Sequence, residues 1–352
     1  MKAILLAGGK GTRLRPLTLH TPKPIVPIFD RPFLLYQIEL LKQIPEITEV
    51  ILSLNYQPRR IEELFGDGGD LGLGIRYVVE PAPLGTGGAV KYAERYLDDS
   101  VVVFNGDVLT EIDLAAVLKL HRERAAKATI VLTPVENPAA YGLVETHPDG
   151  AVRRFLEKPS PDQITCNTIN AGIYVLEPET FDRIPKDTNW SIERSYFPSL
   201  VERGETFVAY VYDGYWIDIG TPAKYQQVHQ DIMHGRFHAA PFKGEPEGHI
   251  ARAPSARVEE GAEVVGPCFL DEGVVVKAGA RVLPGAVLGR QVQVEEGATV
   301  EDSIVWANTR IERDAEVRGA LVGRSVRVGR NVVVTPGSVL GDKTNATDYS
   351  RV

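Results

Sequence analysis

Residues 5–15 read LLAGGKGTRLR, and the segments PLT (16–18) and TPKP (21–24) follow closely. The apolar residues from Ala3 to Leu6 predict a buried first β-strand that ends in a glycine-rich turn. Glycines allow main-chain N–H groups to approach a phosphate closely, and Arg13 and Lys23 add two long cations to this turn. A strand, a glycine turn and placed cations together predict a binding site for a nucleoside triphosphate.

Two better-known glycine motifs do not fit this turn. A dinucleotide fingerprint requires G-x-G-x-x-G, but Gly9, Gly11 and Leu14 occupy those places, so the third glycine is missing. The Walker pattern requires a lysine after its last glycine, whereas Lys10 precedes Gly11. A purely structural turn would not require cations nearby.

The composition argues against several other classes of protein. The chain has 352 residues and is 43% hydrophobic, which is enough for two domains. A net charge of −8 argues against a general nucleic-acid-binding protein. Cys166 and Cys268 are far apart, which favours neither a disulfide framework nor a zinc site. No apolar stretch approaches the roughly 20 residues of a membrane span, so we expect a soluble, cytoplasmic protein with no membrane partner.

The first two thirds of the chain alternate short apolar runs with helical periodicity. This order predicts a mostly parallel, Rossmann-like α/β sheet with ligands at the carboxyl ends of its strands. The predicted strands are Ala3–Leu6, Val50–Leu54, Ile75–Val79, Val101–Phe104 and Val152–Leu156, and the predicted helices are Phe33–Ile44, Pro58–Phe65 and Gly88–Leu97. We expect a catalytic domain over residues 1–233 and a glycine- and proline-rich linker over residues 234–256.

An internal repeat follows, over residues 257–352. Aliphatic residues recur every six positions, at Val258, Val264, Leu270, Val276, Val282, Leu288, Val294 and Val300, and the register resumes at Val305 and again at Val322. A six-residue period predicts a parallel β-helix and resembles the left-handed hexapeptide-repeat helix. Some such helices are acyltransferases with a catalytic histidine, but every histidine here lies at or before His249. We therefore expect the repeat to serve self-association into a homo-oligomer, or regulation.

Four further motifs accompany the N-terminal stretch. They are NGD (105–107), YG (141–142) with EKP (157–159), NAGIY (170–174) and WIDIGTP (216–222). Together these motifs resemble those of the sugar-1-phosphate nucleotidyltransferases, the nucleotide-sugar pyrophosphorylases. The resemblance implies an enzyme in which a sugar 1-phosphate attacks the α-phosphorus of a nucleoside triphosphate and pyrophosphate leaves. It also implies a fold of the GT-A-like nucleotidyltransferase type.

The resemblance assigns a role to each motif. Catalytic cations are Arg13, Lys23 and Lys158, and Mg²⁺ is held by Asp107 and Asp218. The nucleotide is bound by Leu6, Ala7, Gly8, Gly9, Gly11, Thr12, Arg13, Lys23, Glu80, Gly85, Thr86 and Asp107. The sugar phosphate is bound by Gly142, Glu157, Lys158, Asn170 and Gly172. No general base is needed because the attacking phosphate is already ionised. The structural alternatives are a plain turn for Asp107, a helix N-cap for Asp218 and a simple ion pair for Glu157. For Arg13, Lys23 and Lys158 the alternative is a solvated surface cation.

Glu80 bears on which base is bound. A glutamate only accepts hydrogen bonds, and guanine presents two adjacent donors, so Glu80 favours GTP, unless it is a solvated loop residue. The run from Pro83 to Gly88 also resembles that of guanylyltransferases for mannose-type sugars, so mannose 1-phosphate is the favoured acceptor. The alternatives are a thymidylyl- or uridylyltransferase acting on glucose 1-phosphate, a heptose 1-phosphate guanylyltransferase, and a catalytically silent regulatory subunit.

Overall fold

A computed structural model describes all 352 residues of the chain. The chain forms two compact units. The first comprises residues 1–10 and 34–216, and the second comprises residues 11–33 and 217–352. The segment from Gly11 to Phe33 therefore belongs to the same unit as the repeat region, although it follows the first strand directly in sequence. None of the helices has the length and apolar character needed to cross a bilayer.

The elements of residues 1–233 alternate strands and helices. The strands are β1 (Lys2–Leu6), β2 (Pro27–Ile28), β3 (Arg31–Pro32), β4 (Glu49–Leu54), β5 (Gly74–Val79), β6 (Val101–Asn105), β7 (Val108–Thr110), β8 (Ala128–Pro134), β9 (Gly142–Thr146), β10 (Val152–Glu157), β11 (Thr168–Leu176), β12 (Phe207–Val211) and β13 (Trp216–Asp218). The helices are α1 (Phe33–Lys42), α2 (Pro58–Phe65), α3 (Gly85–Ala93), α4 (Leu114–Glu123), α5 (Phe197–Glu202) and α6 (Pro222–Met233).

A mixed, nine-stranded sheet forms the centre of the first unit. Seven of its strands follow the order β10-β9-β11-β6-β1-β4-β5, and β8 pairs with both β11 and β12. Strands β6, β1, β4 and β5 are parallel neighbours, whereas β11 runs antiparallel to β6. Because β1 and β6 are parallel and adjacent, the loops that follow them leave the same edge of the sheet. This confirms the predicted Rossmann-like sheet.

Predicted and observed elements differ mainly at their ends. Helix α2 has the predicted limits, and each predicted strand is present to within one residue at either end. The third predicted helix, Gly88–Leu97, begins earlier and ends earlier, because Gly85 already starts α3 and Glu94–Tyr96 tightens into a 3-10 turn. The main-chain N–H groups of Gly87 and Gly88 donate to Trp190 O. The N–H groups in the first turn of α3, which have no acceptor within the helix, therefore find one in a residue distant in sequence.

The second unit contains the β-helix predicted by the six-residue period. Its short strands form three parallel sheets, in which each strand pairs with the third strand after it. The strands are β14 (Ile250–Arg252), β15 (Arg257–Val258), β16 (Glu263–Val264), β17 (Cys268–Leu270), β18 (Val275–Val276), β19 (Arg281–Val282), β20 (Val287–Leu288), β21 (Gln293–Val294), β22 (Thr299–Glu301), β23 (Ile304–Val305), β24 (Arg310–Ile311), β25 (Glu316–Arg318), β26 (Leu321–Val322), β27 (Arg327–Val328), β28 (Val333–Val334), β29 (Val339–Leu340) and β30 (Asn345–Ala346).

The repeat residues form the interior of this helix. Val276 pairs in register with Val294, and Val294 pairs with Ile311, so equivalent hexad positions stack on one another from coil to coil. These side chains are buried and belong to one continuous apolar cluster. The left-handed β-helix architecture inferred from the hexads is confirmed. The first strand of this region, Ile250–Arg252, lies within the residues predicted as a linker, so we now propose that the linker ends before residue 250.

Candidate active site

The glycine turn and the Asp107 turn meet at one edge of the first unit's sheet. Gly106 N donates to Leu6 O at 3.1 Å, which ties the end of β6 to the end of β1. A Cβ atom at Gly106 would lie 2.4 Å from Leu6 O, so only glycine allows this approach. Ala7 N donates to Ser53 O at 2.9 Å, which holds the start of the turn against β4 as well. Gly8 and Asp107 follow these joined strand ends, so both lie at the same edge of the sheet.

A buried glutamine fixes the Asp107 turn. Gln37 is 2% exposed, and its Nε2 donates to Asn105 O at 2.9 Å and to Val108 O at 2.8 Å. These two bonds bracket Asp107 on both sides. The Oδ1 atom of Asn105 is buried and has no hydrogen-bond donor within the chain. No sequence pattern pointed to Gln37, because its partners are carbonyls of the main chain.

Asn170 and Gly172 shape the strand beside this turn. Asn170 Oδ1 accepts from Gly172 N at 2.8 Å, and its Nδ2 donates to Tyr174 OH at 2.8 Å. The pairing of β11 with β8 loses its register at this point. Gly172 has φ +75°, and a Cβ atom there would lie 2.8 Å from Asn105 Nδ2. Asn170 thus supports the bulge that places Gly172 against the Asn105 side chain.

The predicted sugar-phosphate residues lie at the paired ends of β9 and β10. Glu157 pairs in register with Gly142, and a Cβ atom at Gly142 would lie 2.7 Å from Phe155 Cζ and 3.1 Å from Glu157 Oε2. Lys158 N donates to Tyr141 O at 3.0 Å, and Lys158 itself has φ +52° with an exposed side chain. This left-handed conformation is rare for lysine and costs free energy, so it marks a constrained turn.

The electrostatics of Glu157 depend on a residue that the sequence analysis missed. Burial raises the pKa of Glu157, and the carboxylate of Glu193 raises it further, while the Lys158 ammonium acts in the opposite direction. Glu193 Oε2 accepts from Thr86 Oγ1 at 2.7 Å and from Ser191 Oγ at 2.8 Å. Glu193 therefore connects the start of α3 to the surroundings of Glu157. Its partner Thr86 is 107 positions away in sequence, so no local spacing could have found it.

Glu80 is part of a buried hydrogen-bond arrangement. It is 7% exposed, its Oε1 accepts from Ser53 Oγ at 2.9 Å, and its Oε2 accepts from Leu84 N at 2.9 Å. The alternative of a solvated loop glutamate is therefore wrong. The carboxylate closes the loop from Pro81 to Leu84, which leads directly into Gly85 and Thr86 at the start of α3.

The second unit holds the other predicted phosphate and metal residues. Gly11 has φ +60°, and its carbonyl accepts from Thr18 Oγ1 at 2.7 Å. A Cβ atom at Gly11 would lie 3.0 Å from Lys23 Cβ, so the lysine packs directly on this glycine. Arg13, in the 3-10 turn Thr12–Leu14, lies against Gly220, where a Cβ atom would be 2.9 Å from Arg13 Nη1.

Gly220 follows Asp218 by two residues, so this unit brings Arg13 and the Asp218 segment together. Asp218 does not act as the helix N-cap, because Thr221 Oγ1 fills that role by accepting from Lys224 N at 3.3 Å. The ammonium of Lys224 forms an ion pair with Asp218 Oδ1. Lys224 is another residue that the sequence analysis did not single out.

The predicted metal residues have suitable chemistry for a hard cation. Asp107 and Asp218 both offer carboxylate oxygens, which are preferred ligands of such ions. Asn105 Oδ1, buried beside Asp107 without a donor, adds an oxygen atom to the same turn. No group of three or more His, Cys, Asp and Glu side chains comes together as a metal cluster.

Comparison with known proteins identifies the family. Residues 2–235 match the family model for nucleotidyl transferases, and residues 264–352 match that of the GMPPB C-terminal domain. A mannose-1-phosphate guanylyltransferase from Mycobacterium tuberculosis is 39% identical over 88% of this chain and 81% of its own length. A UTP–glucose-1-phosphate uridylyltransferase from Synechocystis is 31% identical over 99% of this chain and 92% of its own length.

A solved structure shares part of the fold of this chain. HddC from Yersinia pseudotuberculosis, crystallised with GMP-PN, is 29% identical to this chain, with a TM-score of 0.55. The match covers 66% of this chain and 99% of HddC. The chain belongs to the nucleotidyl transferase family, and it is a nucleotidyltransferase whose C-terminal β-helix contains the residues matched by the GMPPB C-terminal domain model.

Proposed function

We propose that the protein is a Mg²⁺-dependent guanylyltransferase that transfers GMP from GTP to mannose 1-phosphate, giving GDP-mannose and pyrophosphate. The contact of Gly106 with Leu6 is the structural observation that carries the proposal, because it joins the Asp107 turn to the end of the strand that leads into the glycine turn, which we propose binds phosphate. The relative named mannose-1-phosphate guanylyltransferase supports the choice of substrates, since its similarity extends over 88% of the chain.

The chemistry needs charge neutralisation and alignment more than proton transfer. Two polyanions must meet so that a sugar-phosphate oxygen attacks the α-phosphorus while pyrophosphate leaves in line. Arg13 would bind the β- and γ-phosphates through its forked guanidinium, and Lys23 would contact phosphate oxygens near the reaction centre. Lys158 would hold the phosphate of the sugar. Each of these cations lowers the repulsion between the reactants.

Asp107 and Asp218 would hold Mg²⁺, which supplies positive charge to the phosphate oxygens during transfer. The family generally uses a divalent metal, and the carboxylates and the buried Asn105 oxygen suit such an ion. Gln37 keeps the Asp107 turn in one conformation by its two main-chain hydrogen bonds. The ammonium of Lys224 forms an ion pair with the Asp218 carboxylate and so orients it.

The sugar and base subsites follow from the other predicted residues. Glu157 and Asn170, with the main chain at Gly142 and Gly172, would bind sugar hydroxyls. Glu80 would favour guanine by shaping the loop that receives the base, in addition to any direct contact of its remaining lone pairs. HddC, which was crystallised with GMP-PN, supports a guanine nucleotide for this fold.

A uridylyltransferase acting on glucose 1-phosphate is the second candidate. The Synechocystis relative of that name matches 99% of this chain at 31% identity. Pyrophosphate release over a grid of GTP, UTP, dTTP and ATP with mannose, glucose and heptose 1-phosphates separates the candidates. We expect GTP with mannose 1-phosphate to give the highest kcat/KM. A preference for UTP or dTTP would refute the guanylyltransferase proposal, and nucleotide binding without turnover of any pair would indicate a regulatory subunit.

The metal residues have their own test. Asp107→Ala and Asp218→Ala should each lower kcat by about 10²–10³-fold, as loss of transition-state charge stabilisation does elsewhere. Asp70→Asn, at an exposed residue in a surface 3-10 turn, is the matched control and should leave kcat unchanged. Full activity of both alanine variants in the presence of a magnesium chelator would contradict the proposal.

We propose that the chain self-associates through its β-helix, so that its partner besides the substrates is another copy of itself. We also propose that the protein is cytoplasmic. Light scattering of the full chain, compared with a chain that ends before residue 250, tests the first point. We expect the full chain to be oligomeric and the shortened chain to be smaller in subunit number. Equal subunit numbers would contradict a role of the β-helix in assembly.

A further inference from the structure

Residues 11–33, here called the phosphate segment, carry Gly11, Arg13 and Lys23. The first point that holds this segment is Thr21, two residues before Lys23. Thr21 is fully buried at 0% exposure, and its Oγ1 accepts from Arg324 Nη1 at 2.7 Å. Arg324 lies between β26 and β27 of the β-helix, and its main-chain N–H donates to Asp342 Oδ1 at 2.8 Å. A side chain of the β-helix thus reaches the phosphate segment directly.

The second point lies on the other side of Lys23, at Pro27. The carbonyl of Pro27 accepts from Tyr225 OH, and the same hydroxyl accepts from Trp306 Nε1 at 3.0 Å. Trp306 belongs to the β-helix and is 2% exposed. The guanidinium of Arg324 lies 5.1 Å from the centre of the Trp306 ring, a cation–π arrangement. Thr21, Arg324, Trp306, Tyr225 and Pro27 therefore form one continuous chain of contacts.

This chain of contacts begins and ends on the phosphate segment and encloses the short 3-10 turn Lys23–Ile25. Lys23 packs on Gly11, so fixing the turn also fixes the glycine that precedes Arg13. A further contact lies upstream, where a Cβ atom at Gly341 would be 2.9 Å from Pro16 Cβ. The β-helix thus touches the phosphate segment directly at Pro16 and Thr21, which lie between Arg13 and Lys23, and reaches Pro27 through Tyr225.

Arg324 differs from Arg310 and Arg318 of the same β-helix. Arg318 pairs with the carboxylates of Glu301 and Glu316, and Arg310 pairs with Glu295, so these side chains form exposed ladders between neighbouring coils. Such exposed ion pairs contribute little to stability. Arg324 instead directs its guanidinium to a buried hydroxyl of the phosphate segment and to an indole ring.

We propose that Arg324 is a positioning residue for nucleotide binding, which acts by holding Thr21 and thereby the turn of Lys23. The β-helix would then contribute to the affinity for the triphosphate as well as to assembly. The physical reason is preorganisation: a loop with both ends held loses less conformational entropy when it binds phosphate. This inference rests on the proposed role of Lys23 in nucleotide binding.

Steady-state kinetics of Arg324→Gln in the full-length protein tests the inference. Glutamine removes the charge and the cation–π contact and retains a polar side chain. We expect KM for GTP to rise about tenfold, because small displacements of positioning groups have large kinetic effects, and KM for mannose 1-phosphate to stay unchanged. Arg318→Gln is the matched control, since it removes an arginine of the same β-helix that has no contact with the phosphate segment.

Thr21→Val supplies a second variant that keeps the side-chain volume and removes only the acceptor. It should raise KM for GTP as Arg324→Gln does. The double variant should have a KM for GTP no higher than that of Arg324→Gln alone, because both substitutions remove the same Arg324–Thr21 hydrogen bond. The inference is overturned if Arg324→Gln behaves like Arg318→Gln. It is also overturned if KM rises equally for both substrates in step with the thermal midpoint, since that pattern indicates general loss of structure.

Lys23→Ala distinguishes a failure of this inference from a failure of the proposed function. Loss of GTP turnover in Lys23→Ala together with normal kinetics in Arg324→Gln and Thr21→Val would overturn this inference alone. Unchanged turnover in Lys23→Ala would instead contradict the proposed role of the phosphate segment itself. Should Arg324→Gln fail to fold, the KM for GTP of the volume-preserving Thr21→Val decides the outcome.

Discussion

Replacing Glu80 with alanine should weaken both the fold of the first unit and its choice of base. The substitution removes acceptors at 2.9 Å from Ser53 Oγ and from Leu84 N. Ser53 can redirect its hydroxyl, but the N–H of Leu84 points into a buried site. An unsatisfied buried donor costs about 1–3 kcal/mol, and hydrogen bonds to a charged group are worth about 1.5–3 kcal/mol. We therefore expect a loss of about 3 kcal/mol in the free energy of unfolding.

Glutamine at the same position is the informative partner of the alanine variant. Its Oε1 can still accept from Leu84 N, and its Nε2 can donate to Ser53 Oγ, which reverses the direction of that bond. Only the charge assistance is lost, so Glu80→Gln should cost about 1 kcal/mol. On the proposed role of the carboxylate in selecting guanine, Glu80→Gln should lower the ratio of kcat/KM for GTP to that for UTP by about tenfold, which corresponds to about 1.4 kcal/mol.

Differential scanning calorimetry measures the stability effect, and pyrophosphate release measures the selectivity. For a unit of this size, we expect the thermal midpoint to fall by roughly 6–12 °C in Glu80→Ala and roughly 2–4 °C in Glu80→Gln. A midpoint of Glu80→Ala within about 1 °C of the unaltered protein would refute the structural role derived from the two hydrogen bonds. An unchanged GTP to UTP ratio in Glu80→Gln would refute a role of the charge in base selection.

Three further outcomes are expected. Because burial and the Glu193 charge raise the pKa of Glu157, KM for the sugar phosphate should rise as pH falls through a range above that of an ordinary glutamate. Glu157→Gln should weaken this pH dependence and leave the part that comes from the titration of the sugar phosphate itself. Burial lowers the pKa of His229 from 6.5 to about 4, so the unfolded chain binds the proton more readily. Between about pH 6.5 and pH 4, His229 should therefore cost up to about 3 kcal/mol of stability as pH falls, and His229→Gln should reduce the slope of stability against pH. Ile311→Ala in the β-helix core should cost about 2–4 kcal/mol by urea unfolding, whereas Arg310→Ala beside it should cost less than about 1 kcal/mol, and equal losses would contradict the inward packing of the hexads.

Elements with a strong local pattern could be predicted from the sequence. The apolar run before Gly8 predicted β1, and the six-residue period predicted the coils of the β-helix, because both depend on which side of a short strand each side chain faces. The glycine turn and the NGD turn were placed at strand ends for the same reason. Family motifs extended this to the phosphate, metal and sugar residues, whose roles stay predictions until they are tested.

The supporting contacts depended on the tertiary structure. Arg324 and Thr21 are 303 positions apart, and Glu193 and Thr86 are 107 positions apart, so each pair meets only after the chain has folded. Glu80 could be recognised as a loop glutamate near the base, but its burial depends on Ser53, which a different strand contributes. A sequence pattern records the preferences of neighbouring residues, whereas these contacts depend on which surfaces the folded backbone brings within hydrogen-bond distance. The residue types and their order therefore specified the chemistry of the site, and the packing of distant segments decided how each of its groups is held.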